Sequence, residues 1–292
     1  MSLTRVSSSF SQTLRDYGVL VKFKLNLLVV FSAATGYLMA PYGEFRPSQL
    51  AFLCLGGFLV TGASNALNQI FEKELDSLMP RTAKRPVAQG RISVTQASLL
   101  AGLMSIIGLV ILASFNLLTA LLGALSLLSY VFVYTPMKRI SPIAVLIGAF
   151  PGAFPTLIGW VAVTGSISVN AFALFGIQFL WQFPHFWAIA WKSYEDYAKA
   201  GFYLLPNGRK DKNSALQIVL YCLFLVVTGI FPYLLGLTGL ASMLVVGVAA
   251  LYFTYTAVNL YKYQTDKAAL SVMFASFFYL PIVQVALLID KL

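Results

Sequence analysis

Long unbroken runs of apolar residues, neither alternating nor striped with polar positions, organise this chain. Between clusters of charged or turn-forming residues they fall near 19–40, 50–70, 94–114, 116–135, 142–163, 169–191, 215–236, 238–261 and 270–289. Each run is close to the roughly 20 residues that a helix needs to cross about 30 Å of hydrocarbon. Continuous runs do not match the alternation of a membrane barrel. The pattern therefore predicts an all-α integral membrane protein with nine transmembrane helices. Only Ser114, Phe115 and Asn116 separate the third and fourth runs, which predicts a tight helical hairpin there. No long linker or low-complexity tract interrupts the series, so 1–292 reads as one polytopic domain. The N-terminal segment MSLTRVSSSFSQTLRDYG is polar and contains no short apolar stretch with a small-residue cleavage site, so no cleavable signal peptide is expected.

Composition agrees with this reading. The chain is 59% hydrophobic and 10% charged, outside the usual range of soluble domains. Its charges also set an orientation. With the N-terminus inside, one side receives Arg5, Arg15, Lys22, Lys24, Lys73, Arg81, Lys84, Arg85, Arg91, Lys138, Arg139, Lys192, Lys199, Arg209, Lys210, Lys212, Lys262 and Lys267, and the other only Arg46 and Lys291. Eighteen bases against two is the bias expected of cytoplasmic loops. It accounts for the net charge of +10 without a nucleic-acid partner. Cys54 and Cys222 lie inside apolar runs with no CxxC or Cys/His spacing and read as packing residues.

Against this apolar background the stretch NALNQIFEKELDSLMPRTAKRP at 65–86 concentrates charge. Asn68, Glu72 and Asp76 stand at i, i+4 and i+8, so they line one face if the second helix continues past the membrane boundary, whereas Glu74 points elsewhere. Clustered carboxylates repel without a counter-charge, and an oxygen-rich site of this kind suits Mg²⁺, which commonly bridges one or two carboxylates to substrate phosphates. The plainer reading is a solvated helix end whose acids pair with Lys73, Arg81 and Lys84. Arg81, Lys84 and Arg85 form a short basic loop able to grip phosphate oxygens, although a positive-inside loop is basic in any case. TPMKR at 135–139 places Lys138 and Arg139 on the same side, and WKSYEDYAKAGFYLLPNGRK at 191–210 adds Glu195 and Asp196. Charge thus gathers at one interface, whereas a transporter's ionisable groups more often lie at mid-membrane depth.

The stretches ALNQIFEKELDSLMPRTAKRPVAQGRIS, YTPMKRISPIAVLIGAFPGAFPTLIGW, FLWQFPHFWAIAWKSYEDYAKAGFYLLP and PYLLG, in that order, resemble the UbiA superfamily of intramembrane prenyltransferases, and within it the branch that farnesylates protoheme IX (heme B) to heme O. The resemblance covers most of residues 65–236. It implies that Asn68, Glu72 and Asp76 hold Mg²⁺ on farnesyl diphosphate and that Arg81, Arg85, Lys138 and Arg139 hold the diphosphate. It further implies farnesyl transfer to a heme vinyl group with addition of water. A bacterial inner membrane with cytoplasmic active-site loops, and hand-off to a heme A synthase or an oxidase assembly partner, are implied as well. Two departures stand out. The family usually carries aspartate where this chain has Glu72 and Glu74. Its second motif is commonly DxxxD where this chain has YEDYAKAG, with Glu195 and Asp196 as the acids of that stretch and implied substrate-binding residues.

His185, the only histidine, lies in WQFPHFW after Pro184, where the helix is expected to kink. An intramembrane histidine needs a partner or a cavity. It can serve as a heme-iron ligand, a propionate contact or a proton carrier, or else be a buried residue bonded to Gln182 or Gln178. Trp181, Phe186, Trp187 and Trp191 are individually packing or interfacial aromatics, and together could face a porphyrin or a farnesyl cation. GAFPGAFPTLIGW is either a close-packing surface or a broken helix lining the cavity. The competing functional readings are a prenyltransferase acting on an aromatic quinone precursor, a secondary transporter and a heme binder without turnover.

Overall fold

Apolar segments of these lengths fold as helices because hydrocarbon offers no other partner for their backbone groups. A computed structural model describes residues 10–41 and 45–292. Arg5, counted above, lies outside them. In chain order the helices are α1 (Phe10–Leu20), α2 (Phe23–Met39), α3 (Pro47–Phe71), α4 (Lys73–Leu78), α5 (Val94–Ala113) and α6 (Leu117–Leu128). A π-helical stretch, Ser129–Tyr134, leads from α6 into α7 (Thr135–Met137). There follow α8 (Ala144–Thr164), α9 (Val169–Lys192), α10 (Tyr194–Lys199), α11 (Lys212–Thr228), α12 (Phe231–Leu234), α13 (Leu240–Tyr263) and α14 (Asp266–Ile289). Among the described residues no strand forms, apart from the isolated Thr238–Lys291 bridge.

The helix starts follow their capping residues. Ser93 and Gln96 form a reciprocal capping box at α5, and Asn116 and Asp211 accept from the backbone at α6 and α11. Asn116 confirms the expected hairpin, since it starts α6 three residues after α5 ends and also donates to Val161 O at 2.8 Å.

Among the described residues seven helices are long and apolar enough to cross a membrane, or eight if α1 and α2, bent by 49° at their junction, count as one span. This falls short of the expected nine because α9 has the length, at 24 residues, but not the apolarity. It carries Gln178, Gln182 and His185, all buried. The bundle's outer surface is apolar: Leu99, Ile106, Val110, Leu117, Val248 and Phe278 are all more than half exposed, as a lipid-facing belt requires.

Helix α8 is the most enclosed of the seven and packs between α2, α6 and α9. Pro151 and Pro155 lie inside this continuous helix, so the broken-helix reading of GAFPGAFPTLIGW is replaced by close packing. A Cβ on Gly36 or Gly159 would overlap the backbone of the opposing helix at Thr156 or Ala33. Helix α9 likewise continues through Pro184. Uncharged polar groups occur within the spans. Gln284 donates to Ser32 Oγ (2.9 Å) and Gln178 Oε1 (3.2 Å), while Gln178 and Gln182 donate to Gly152 O and Ala149 O (both 2.8 Å). These are uncharged, mutually satisfied amides that fasten α2, α8, α9 and α14, as expected of polar contacts between membrane helices.

Gly159→Leu is expected to abolish monodisperse folded protein in detergent, judged by size-exclusion profile. Gly57→Ala, at a position with open space around it, should be neutral or stabilise by roughly 0.5–1 kcal/mol.

Candidate active site

The second long helix does not run straight through its acidic stripe. Helix α3 ends at Phe71, Glu72 takes φ −99° and ψ 12°, and α4 starts at Lys73. The i+4 ladder nevertheless survives, with Glu72 N donating to Asn68 O (3.0 Å) and Asp76 N to Glu72 O (2.7 Å). Asn68, Glu72 and Asp76 therefore stay together, and all three are buried at 1%, 4% and 0% exposure. Lys73 and Glu74 are exposed. The solvated-end reading is excluded by that burial, and the acids' partners differ from the ones it proposed.

Glu72 Oε1 accepts from Lys138 Nζ at 2.6 Å. Arg85 Nη1 lies 2.7 Å from both oxygens of Asp76. Asn68 Nδ2 donates to Thr135 Oγ1 (3.2 Å), which donates to Tyr130 O (2.9 Å) within the π-helical stretch. Burial pushes the Asp76 carboxyl above the ordinary carboxylate range; Arg85 opposes that push and Glu72 reinforces it. Lys138 is also enclosed by aromatic faces, with Nζ 4.7 Å from the Tyr134 ring centre and 5.5 Å from that of Phe202.

The 193–211 loop closes over this cluster. Tyr203 N donates to Lys138 O at 2.8 Å, and Met79, Ala200 and Phe202 form a small apolar contact between the two loops. Arg81 donates to Tyr197 Oη (3.2 Å) and lies over its ring. Glu195 is exposed, and Asp196 sits 3.7 Å from Lys199, so neither is brought to Glu72 and Asp76. Among the described residues no three His, Cys, Asp or Glu side chains converge on a metal position. Arg139 is exposed and lines a cavity of about 520 Å³ beside Glu72, together with Phe71, Leu75, Phe132 and Thr135.

His185 stands apart from the charged cluster, on the α9 face toward α14. Its Nδ1 lies 2.8 Å from Ser276 Oγ, and its ring stacks on Trp181 at 4.5 Å between ring centres. Phe186 and Phe277 meet it edge-on. Its partner is thus Ser276 rather than Gln178 or Gln182. Ser276 Oγ in turn donates to Met273 O at 2.5 Å, so the hydroxyl bridges the imidazole and the α14 backbone. Sequence reasoning missed Thr135, Tyr134, Tyr197 and Phe202. A tyrosine one turn before Lys138 was a usable signal for Tyr134; the loop contacts had none.

A family model described as the UbiA prenyltransferase family matches residues 29–280. The chain belongs to the UbiA prenyltransferase family. It is accordingly a multi-pass membrane protein and a prenyltransferase. It is 49% identical over 279 residues to a protoheme IX farnesyltransferase of Cytophaga hutchinsonii, covering 94% of this chain and 97% of that one. It is 42% identical over 299 residues to a protein of the same name from Flavobacterium johnsoniae, covering 100% and 99%. Among solved structures, this UbiA-family chain matches a digeranylgeranylglyceryl phosphate synthase with TM-score 0.80 and 22% identity, over 96% of this chain and 98% of that one. It also matches a UbiA homologue of Archaeoglobus fulgidus bound to GPP and Mg²⁺ with TM-score 0.72 and 14% identity, over 93% and 99%. At those identities the likeness is one of fold.

Lys138→Met strands Glu72 as a buried acid without a partner and is expected to destabilise the protein by about 3 kcal/mol. Adding Glu72→Gln should recover much of that loss in detergent thermal melts, because the stranded charge is then removed. Lys138→Met as stable as the wild-type protein would show that the pair does not matter to the fold.

Proposed function

We propose that this prenyltransferase moves the farnesyl group of farnesyl diphosphate onto a vinyl group of protoheme IX, with water adding, to give heme O and diphosphate. The observation that carries the reading is the buried set of two acids and two bases, Glu72 with Lys138 and Asp76 with Arg85. It sits on a chain that matches protoheme IX farnesyltransferases along nearly its whole length. That match also favours a porphyrin acceptor over an aromatic quinone precursor.

The residues present fit magnesium. Asn68, Glu72 and Asp76 are a buried, oxygen-bearing set with two carboxylates, short of a complete protein cage, and Mg²⁺ usually takes one or two carboxylates and completes its shell with water and substrate phosphate. When bound there it supplies positive charge to the diphosphate oxygens. The chain's own bases do the rest. Lys138 and Arg85 lie beside the acids, with Arg81 at Tyr197 of the covering loop and Arg139 at the neighbouring cavity, and these bases stabilise the charge that grows on the diphosphate as the farnesyl C1–O bond breaks. Both electrons of that bond leave with the diphosphate. C1 joins the terminal vinyl carbon, and the cation left on the inner vinyl carbon takes up water, which loses a proton. Tyr134 and Phe202 present aromatic faces at Lys138, and the 193–211 loop excludes bulk water. His185, stacked on the Trp181 face, is suited to contact the porphyrin. Glu195 and Asp196 lie at the loop surface and take a secondary role in binding.

The same reading places the protein in a bacterial inner membrane, N-terminus and active-site loops cytoplasmic, supplying heme O to a heme A synthase or an oxidase assembly partner. The charge bias of eighteen bases to two supports that orientation.

Purified protein incubated in detergent with heme B, farnesyl diphosphate and Mg²⁺ should yield a farnesylated, hydrated heme by mass spectrometry. EDTA, Glu72→Gln and Asp76→Asn should each remove it. Consumption of farnesyl diphosphate on an aromatic acceptor, with no heme product, would sink the heme reading.

A further inference from the structure

The 79–92 loop that carries Arg81 and Arg85 is a run of turns rather than a helix. Thr82 N and Ala83 N donate to Met79 O (2.9 and 2.8 Å), Arg85 N to Thr82 O (2.9 Å) and Gln89 N to Arg85 O (3.0 Å). Gly90 then turns the chain back from the left-handed region (φ 72°), and Arg91 N reaches Pro86 O at 2.9 Å. Such a chain of turns aims its side chains reproducibly when both of its ends are held. The acid cluster holds one end, since Thr82 Oγ1 donates to Asp76 O (3.0 Å) and Arg85 grips the Asp76 carboxylate.

Helix α1 holds the other. Arg91 forks onto Asp16, with Nε 2.9 Å from Oδ2 and Nη2 3.0 Å from Oδ1. The same Nη2 donates to Lys84 O (2.9 Å), on the residue before Arg85. One guanidinium therefore joins α1 to the middle of the basic loop. Asp16 is buried at 5% exposure and also accepts from Gln12 Nε2 (3.1 Å), one turn earlier on α1. Helix α1 is tied in turn to α3, where Gln69 Nε2 donates to Val19 O (2.9 Å) and Leu20 O (3.0 Å). Gln69 adjoins Asn68, so the helix that carries the first acids and the loop that carries Arg85 are both referenced to α1.

Stability is a weak reason for this arrangement. The Arg91 side chain is 33% exposed, and an ion pair with one partner partly in water adds little to a fold. What the pair supplies is geometry. A planar guanidinium with several N–H groups holds a carboxylate and a carbonyl at once in fixed directions, which a lysine ammonium does not. Arg85 needs that fixity, because its guanidinium has to serve Asp76 and an incoming anion together, and a misplacement of about 1 Å can cost about a hundredfold.

We propose that Asp16 and Arg91 are positioning residues for the diphosphate site: their fork clamps the Lys84 carbonyl to α1 and thereby sets the place of Arg85, which meets the substrate. The inference rests on the prenyl diphosphate reading above.

The test is calorimetric titration of inorganic diphosphate with Mg²⁺ into the full-length protein in detergent, carried to millimolar diphosphate so that weakened variants stay measurable, with thermal melts in parallel. Asp16→Asn keeps the size of the side chain and leaves Arg91 solvated, and should weaken binding about tenfold. Arg91→Lys keeps the charge but not the fork, and should weaken it to a similar extent. The deciding step repeats both substitutions in an Arg85→Gln background. Neither should weaken binding further there, because the side chain they place is gone. The same tenfold loss in that background overturns the proposal, since the pair would then act independently of Arg85. Full affinity in Asp16→Asn and Arg91→Lys overturns it too, and so does loss of folded protein in both, which would assign the pair to the fold. Wild-type protein that binds no diphosphate would instead overturn the prenyl diphosphate reading itself, and the inference with it.

Discussion

Removing charges from water at the edge of a membrane is the constraint around which this molecule is arranged. Glu72, Asp76 and Lys138 are buried, and Arg85 nearly so. Isolated, each ion would carry a desolvation penalty of several kcal/mol, and attraction between partners offsets it only with close geometry and further hydrogen bonds. The structure supplies both. Glu72 and Lys138 meet at 2.6 Å although 66 residues apart, and Arg85 holds both oxygens of Asp76. Those two pairs require α3, α4, the 79–92 loop and α7 to converge, and the 193–211 loop to cover them. The acids suited to a cation and the bases suited to an anion are therefore assembled before either arrives.

That assembly explains the local irregularities around it. The chain leaves regular α-helix at Glu72 and at the π-helical stretch before Lys138, both beside the charged cluster, and at the α1–α2 break, which Asn65 and Gln69 of α3 hold. Side chains answer for the disturbed backbone. Thr135 bonds Tyr130 O, and Gln69 and Asn65 bond the carbonyls near the break. In hydrocarbon such breaks are tolerated only where a neighbour supplies the missing partner. Polar residues on α3 thus serve two adjacent faces, one fixing the break and one carrying the acids.

How much of this could be read from the sequence depends on the range of the interaction. Asn68, Glu72 and Asp76 were legible because i, i+4, i+8 spacing is local, and their i+4 hydrogen bonds survive even the interruption at Glu72. Which base meets which acid was not legible. The basic loop looks uniform in sequence, yet Arg85 turns to Asp76 while Arg91 turns to Asp16 in α1. His185 met the same limit: its proximity to Gln178 and Gln182 along the chain suggested partners, but the hydrogen bond goes to Ser276, 91 residues away. The glycines of α8 signalled close approach correctly, and their prolines suggested a break that packing suppressed.

Helix α9 shows why the span count and the site are one problem. A membrane helix exposed to lipid must be apolar around its whole circumference, but one enclosed by protein is free of that requirement. Helix α9 packs against α8, α11 and α14, and it spends its interior positions on Gln178, Gln182 and His185. Its neighbours have replaced the lipid along these positions. The shortfall from nine spans therefore marks the helix that carries polar side chains into the protein interior. Enclosure alone does not decide this, because α8 is buried along most of its length and stays apolar; α9 differs in spending its buried positions on amides and a histidine.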